Sequence, residues 1–209
     1  MMRTTFARLR CDQSGGVLVE ATVMLVILLI FVLGSMDFLL AMYQWNAATK
    51  AVQLGARIAS VSNPVSSDLS TMTGLGGGVN PGDPMPSFTR VCNGATASCS
   101  GGTFSTTALN TIVYGRGSAT CGDAASAYTS GMCDVFRRVL PANVVITYAY
   151  TGLGYAGRPG GPVPTITVTL QNLPFQFYFL GGLMGFANIM IAPVATVTGE
   201  DLSSSAPTT

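Results

Sequence analysis

Few side chains in this 209-residue chain could take part in chemistry. The sequence contains five cysteines, nine acidic residues and no histidine. Without imidazole there is no histidine base for a serine or cysteine nucleophile, and no histidine ligand for a metal. The chemistry that remains is the oxidation of thiols and the charge interactions of carboxylates.

The cysteines divide into one that precedes a long apolar segment, Cys11, and four that follow it, Cys92, Cys99, Cys121 and Cys133. An even number on one side is typical of disulfides in an oxidising compartment. Four cysteines allow three pairings, and the short separations favour Cys92 with Cys99 and Cys121 with Cys133. A four-cysteine zinc site is disfavoured because neither pair has the two-to-four-residue spacing of such sites.

Other patterns typical of enzymes occur in this sequence, but the residues around them do not meet the requirements of an active or binding site. Residues 152–157 match G-x-G-x-x-G, but the following Gly/Pro stretch cannot start a helix, and no acidic residue occurs from 136 to 198. The same gap argues against catalysis by a carboxylate pair, and Arg137 with Arg138 is interpreted as a solvated helix end. We therefore predict no enzymatic activity, no cofactor, no metal and no small-molecule substrate.

Glu20 stands out because it lies in the apolar segment Val17–Met36. A carboxylate at the centre of a membrane helix costs about 2.5 to 3.5 kcal/mol, and less toward the interface, so it usually has a partner. The alternative is that Glu20 is solvated at the cytoplasmic interface.

The element that positions Glu20 is a predicted membrane helix. Twenty residues at about 1.5 Å each reach roughly 30 Å, one hydrocarbon core. Arg3, Arg8 and Arg10 precede this segment, which predicts a cytoplasmic N-terminus. A cleaved secretory signal is disfavoured, because the apolar run is long and the helical pattern continues to Asn63-Pro64.

The continuation of the helix is amphipathic. Its predicted apolar stripe comprises Phe38, Ala41, Met42, Trp45, Thr49, Val52, Ala56 and Ala59, and its polar stripe comprises Asn46, Lys50, Gln53 and Arg57. We predict one helix from about Val17 to Ser62. Four small residues, Gly34, Ala41, Ala48 and Gly55, would permit close approach of another helix.

The sequence Ser14-Gly15-Gly16-Val17-Leu18-Val19-Glu20 resembles the processing site of type IV pilin-like precursors. The resemblance implies that a membrane prepilin peptidase cuts between Gly15 and Gly16. The new α-amino group, with a reference pKa of about 7.7 to 8.0, would be mostly cationic at neutral pH. It would provide a counter-ion for Glu20, on the same subunit or a neighbour.

A wider resemblance covers roughly residues 15–59. Asp37-Phe38 and Gly55-Ala56-Arg57 are similar to the N-terminal segment of the TadE-like family, small bitopic proteins of the tight-adherence (Tad) pilus system. Ala21 and Leu25 depart from the aromatic residue and the proline usual in that family. The resemblance implies a pilus-assembly role, with the pilin and other assembly proteins as partners and the prepilin peptidase as a further partner.

After Pro64 the chain is rich in Gly, Ser, Thr and Pro. Helices are predicted at 107–114 and 132–140, a β-hairpin at 144–150 and 164–170, and a last strand at 193–198. Residues 175–197 are long enough for a second membrane span, but polar, Gly and Pro residues interrupt them. A strand, turn and strand inside a compact domain is therefore favoured.

Composition sets the class of protein. Apolar residues make up 48%, charged residues 9%, and the net charge is +1, whereas soluble domains have about a quarter charged residues. A cytosolic enzyme and a nucleic-acid-binding protein are therefore disfavoured. The prediction is an α+β fold, in which the long helix packs on a small antiparallel sheet with disulfide-bonded loops.

We predict four regions: a cytoplasmic basic leader (1–15), a transmembrane helix with its amphipathic extension (16–62), a periplasmic α+β domain (63–202) and a disordered tail (203–209). The predicted function is that of a membrane-anchored, pilin-like (TadE-like) protein of the bacterial inner membrane that supports assembly of a tight-adherence pilus. The alternative is an unprocessed bitopic envelope protein whose exported domain binds another envelope component or a ligand.

Overall fold

The computed structural model describes residues 14–124, 126, 128–179, 181–182, 189–200 and 202. The basic residues of the predicted leader, Cys11 and the predicted tail 203–209 lie outside the described residues. The described chain divides into two compact units. One comprises residues up to 42 together with 176–187, and the other comprises 43–175 together with 188–209.

The first element is a long helix, α1, Ser14–Ser60. It contains no proline, and the first proline after it is Pro64, which disfavours helical backbone at the preceding residue. Arg57 occupies its last turn, where a cation interacts favourably with the negative end of the helix dipole. The predicted helix is therefore present, and its ends differ by two to three residues from the predicted ends.

The second unit contains a five-stranded antiparallel sheet. Its strands are β1 (Thr89–Asn93), β2 (Ser98–Cys99), β3 (Val144–Ala149), β4 (Thr165–Leu170) and β5 (Val194–Thr198), in the order β2-β1-β3-β4-β5. The predicted hairpin is confirmed as β3 and β4, paired from Val144 opposite Leu170 to Ala149 opposite Thr165. The predicted last strand is confirmed as β5.

Two short helices lie in the connection between β2 and β3. Helix α2, Thr106–Tyr114, confirms the prediction for 107–114. The Ser105 side chain caps its N-terminus by accepting from the backbone N of Ala108. The predicted helix at 132–140 is wrong in length, because α3 spans Met132–Val135 alone and Phe136 has extended backbone (φ −138°, ψ 95°). Single-turn 3-10 helices occur at Ser67–Ser70 and Pro141–Asn143.

One hydrophobic core joins these elements. Alternate residues of β3 and β4 point inward, as a sheet with one buried face requires. The same cluster includes the buried residues of the second half of α1 and those of α2 and α3. The α+β architecture predicted from the sequence, with a long apolar helix and disulfide-bonded loops, is therefore confirmed.

Candidate functional site

The first half of α1 presents apolar side chains to its surroundings. Large side chains from Val17 to Leu33 are between 38% and 77% exposed. Among the described residues, one helix is long and apolar enough to cross a membrane, and none of its most apolar window is buried by the protein. Since exposed apolar surface of this extent is costly in water, this segment is a candidate membrane anchor.

Glu20 lies on the exposed surface of this segment. Nearby, the Thr22 hydroxyl donates to the Val19 carbonyl oxygen at 2.8 Å, within the helix itself. Gly16 has open space where a Cβ would stand, with no heavy atom within 4 Å. Nothing within the described part of the chain pairs with the Glu20 carboxylate, so its partner must be solvent, the leader or another molecule.

Asp37 follows the apolar run directly and is 2% exposed. Its Oδ1 accepts from the backbone N of Tyr178 at 3.2 Å, and its Oδ2 accepts from the backbone N of Phe179 at 2.8 Å. A carboxylate that accepts two backbone hydrogen bonds is a strong, charge-assisted anchor. The sequence singled out Asp37 as a motif residue, but its partner lies 141 residues away and could not be predicted.

Gly55 and Ala56, the next motif residues, are buried in the core. A Cβ on Gly55 would stand 2.4 Å from Met132 Sδ and 2.8 Å from Met132 Cγ. The absence of a side chain at Gly55 therefore allows α3 to approach α1 closely. Ala48 is also fully buried, so Ala48 and Gly55 pack within the chain's own domain and not against a helix of another subunit.

Arg57 is exposed, and lines an open groove of about 500 Å³. The groove is also lined by Arg116 and Tyr128, and its apolar residues are Leu54, Ile58 and Val61. Arg116 donates to the Val61 carbonyl oxygen at 2.9 Å, while Tyr128 is 97% exposed. In the part of the chain that the structure describes, neither guanidinium in this groove has a carboxylate partner.

The buried stripe of α1 differs from the predicted one. Of the predicted apolar stripe, Val52, Ala56 and Ala59 are buried, whereas Phe38, Met42 and Trp45 are 63%, 48% and 42% exposed. The inward stripe instead runs through Asp37, Gln44, Ala47, Ala48, Ala51, Val52, Gly55, Ala56 and Ala59. The predicted polar stripe, Asn46, Lys50, Gln53 and Arg57, is exposed as expected.

Hydrogen bonds explain one polar member of the inward stripe. Gln44 is buried, and its Oε1 accepts from Arg138 Nη1 at 2.9 Å. Arg138 also donates to the Pro174 carbonyl oxygen at 2.7 Å. The interpretation of Arg138 as a solvated helix end is therefore wrong, since this side chain connects α1 to the segment that follows β4.

The structure joins Cys92 to Cys99 and Cys121 to Cys133, the pairs that the spacing favoured. Cys92 and Cys99 face each other across β1 and β2. Cys133 lies in α3, where the Asp134 carboxylate also accepts from the backbone N of Gly122 and of Gly131, both at 2.8 Å. Covalent and hydrogen bonds thus hold the same loop.

The remaining sequence patterns contribute to the fold and do not form a binding site in the described part of the chain. Gly152, Gly154 and Gly157 all have positive φ in the loop between β3 and β4, a geometry that favours glycine. Among the described residues no group of three or more Cys, Asp or Glu could hold a metal ion. Residues 174 and 190 form an antiparallel bridge, so 175–197 does not form one continuous membrane-crossing helix.

Comparison with known proteins supports the resemblance of the N-terminal segment. The family described as TadE-like protein matches residues 15–57. That range contains the Gly15-Gly16 pair, Glu20, Asp37 and the Gly55-Ala56-Arg57 motif. No curated protein and no solved structure matches the chain. The match therefore covers α1 except for its first residue and its last three, and the sheet lies outside it.

Proposed function

We propose that this chain is a membrane-anchored, pilin-like component that supports assembly of a tight-adherence pilus. The observation that carries the proposal is the TadE-like match over residues 15–57, on a helix whose first half is apolar and exposed. The second half of the same helix contributes Ala48, Val52 and Ala56 to a folded core. Such a helix suits a protein that is held in a membrane and carries a folded domain outside it.

The proposed location is the bacterial inner membrane, with a single crossing. The three arginines of the leader support a cytoplasmic N-terminus. The domain with the two disulfides is then periplasmic, where thiols are oxidised. The proposed regions are the leader 1–15, the helix 16–62, the domain 63–202 and the tail 203–209.

Processing between Gly15 and Gly16 by the prepilin peptidase is part of the proposal. Cleavage would remove the arginines and produce an α-amino group four residues before Glu20. In a medium of low dielectric constant, this cation would offset the cost of the carboxylate. Glu20 would thereby order the helix against its neighbours in the assembly.

The proposed role is structural and not enzymatic, and the partners are the pilin and other pilus-assembly proteins. Gly34 and Ala41 are half-buried and are the small residues proposed to contact a neighbouring helix. Ala48 and Gly55 are excluded from that role because they contribute to the core of their own domain. The helix contact is thereby assigned to the part of α1 that precedes this core.

One observation favours the second candidate, an unprocessed bitopic protein whose domain binds another envelope component. The groove at Arg57 carries two arginines, apolar side chains and an exposed tyrosine. Arginine and tyrosine are among the residues most enriched in protein interfaces. The two candidates differ in whether the leader is removed.

The mature N-terminus distinguishes the two functions. We expect mass spectrometry of the protein from piliated cells to find a chain that begins at Gly16. A chain that retains Met1 or Met2, in cells with an active prepilin peptidase, would contradict the first function and support the second.

Substitution of Glu20 tests the role of its charge. We expect Glu20→Ala to reduce piliation strongly and Glu20→Asp to retain most of it, because the carboxylate provides the contact. Thr22→Ala is the matched control, since Thr22 is exposed and bonds to its own helix backbone. Normal piliation with Glu20→Ala at wild-type protein levels would refute the proposed pairing.

A further inference from the structure

Three aromatic residues after β4, Phe177, Tyr178 and Phe179, belong to the same compact unit as the apolar half of α1. We call them the aromatic segment. Their grouping with the apolar helix and not with the sheet indicates that their surroundings are those of the helix.

Asp37 determines the level at which the aromatic segment lies along α1. It accepts hydrogen bonds from the backbone N of Tyr178 and of Phe179, at 3.2 and 2.8 Å. It is also the first residue after the apolar run that ends at Met36. If the run fills the hydrocarbon core, the aromatic segment therefore lies at the edge of that core.

The exposure of nearby side chains indicates contact with lipid. Tyr178 is 78% exposed, and Phe38 and Leu39, next to Asp37 on α1, are 63% and 66% exposed. Large apolar side chains clustered at the protein surface mark an interaction site. Tyrosine is enriched at the membrane interface, where its ring contacts apolar groups and its hydroxyl contacts water.

The local charge is compatible with such a position. No Asp, Glu, Lys or Arg occurs from Pro159 to Gly199, so no ionised side chain of this stretch would lose its hydration at the membrane surface. The Asp37 carboxylate satisfies two backbone N–H groups that hydrocarbon would leave unpaired. The carboxylate itself is shielded by those two bonds.

We propose that the aromatic segment lies in the outer-leaflet interface of the membrane that α1 crosses, and that Asp37 is the positioning residue that holds it there. This inference rests on the proposed function, since it requires α1 to span the bilayer. It supplies a second contact between chain and membrane.

The experiment measures the depth of single tryptophans in full-length protein reconstituted in phosphatidylcholine vesicles. Trp45, the single tryptophan of the sequence, is replaced by Phe, which retains an aromatic ring to stack on Phe175. In that background, a tryptophan probe is introduced by Tyr178→Trp, or by Leu29→Trp within the apolar run. Quenching is compared between lipids brominated near the headgroup and lipids brominated near the chain end.

We expect the probe at position 178 to lose most of its emission with bromine near the headgroup and little with bromine near the chain end. The probe at position 29 should show the reverse. Addition of Asp37→Ala to Tyr178→Trp should abolish the quenching, whereas Asp37→Asn, which retains one acceptor oxygen, should retain part of it. Unchanged quenching with Asp37→Ala would refute the positioning role of Asp37.

The two probes separate the inference from the proposed function. If the probe at position 29 is not quenched, α1 does not enter the bilayer, and the proposed function fails. If that probe is quenched but the probe at position 178 is not, the inference alone fails. A third outcome is that acrylamide, a quencher dissolved in the water, quenches the probe at position 178 at low protein-to-lipid ratio but not at high ratio. In that case a second copy of the chain covers the aromatic segment, and the assignment to lipid is overturned.

Discussion

Gly55 illustrates at the residue scale how a motif position can serve packing. Its missing side chain leaves room for Met132, which is fully buried. Because the position is helical, the requirement for glycine is spatial and not conformational. Its neighbour Arg57, by contrast, is exposed in the groove and contributes little to this packing.

We expect Gly55→Ala to lower the free energy of unfolding by about 1 to 3 kcal/mol, the usual cost of overpacking a core. The clash is with a flexible side chain, which can shift at some cost. Urea unfolding in detergent would measure the change, with Arg57→Ala as the control, expected within about 0.5 kcal/mol of the wild type. Equal stability of Gly55→Ala and wild type would mean that Met132 moves without cost.

At the scale of elements, Tyr148 connects β3 to the chain that leaves α1. Its side chain is fully buried, and its hydroxyl oxygen accepts from the backbone N of Val65 at 3.0 Å. Burial raises the pKa of the Tyr148 phenol, and the hydrogen bond from Val65 partly opposes this. The phenol therefore remains neutral in the folded protein under conditions that ionise it in the unfolded chain.

We expect Tyr148→Phe to lower the free energy of unfolding by about 1 to 3 kcal/mol, because the buried Val65 N–H loses its acceptor. Tyr150→Phe is the matched control, since Tyr150 is half-buried beside Phe88 and its hydroxyl makes no hydrogen bond in the described chain. Chemical denaturation at neutral pH would measure both. A cost for Tyr150→Phe as large as that for Tyr148→Phe would contradict this explanation.

The wild type and Tyr148→Phe should also differ in pH dependence. Since the pKa of Tyr148 is raised in the folded state, its contribution is complete below the unfolded pKa of about 10. Above that value the unfolded chain binds fewer protons, so the wild type should lose up to about 1.4 kcal/mol per pH unit relative to Tyr148→Phe. A constant difference from about pH 8 to about pH 11 would refute the assigned cause.

A second electrostatic contact supports the same region. Arg90 Nε lies 3.0 Å from Asp68 Oδ2, with side chains 20% and 32% exposed. Burial alone would raise the pKa of Asp68, but hydrogen bonds from Ser66 and Arg90 and the Arg90 charge lower it overall. The resulting stability is present above the ordinary aspartate pKa and is lost as the pH falls through the lowered value.

At the scale of the whole molecule, the cysteines lie on both sides of the apolar run. The four that follow the apolar run form two disulfides, and Cys11 precedes it. Cleavage between Gly15 and Gly16 would remove Cys11 with the leader. Under the proposed function, the thiol content of the protein would therefore depend on both its orientation and its processing.

We expect the processed protein, denatured without reductant, to react with no thiol reagent, and the precursor to react at Cys11 alone. Labelling with an alkylating reagent and peptide mapping would show this. Reduction should destabilise the domain by about 2 to 4 kcal/mol for each disulfide. Free thiols at Cys92 or Cys121 in protein from intact cells would contradict the periplasmic location of the domain.

Local patterns in the sequence determined the elements that have a long or periodic run of apolar residues, or that are bounded by glycine and proline. The helix was predictable because its apolar run is long and no proline interrupts residues 14–63. The hairpin of β3 and β4 was predictable because each strand is rich in β-branched residues and is bounded by Gly/Pro stretches or turns. The pairs of cysteines followed from short separations in the chain. Each of these signals involves residues that lie close together in the chain, so it can be recognised in a single sequence.

Only the tertiary structure decided which side of α1 faces inward and what Asp37 binds. Phe38 and Trp45 continue the apolar stripe in the sequence, but the close approach of α3 at Gly55 selects the face with small residues, and a hydrogen bond satisfies its Gln44. Strands β1 and β2 are absent from the predictions: β2 has only two residues, and β1 pairs with the distant β3. Such contacts join residues far apart in the chain, and local periodicity carries no information about them.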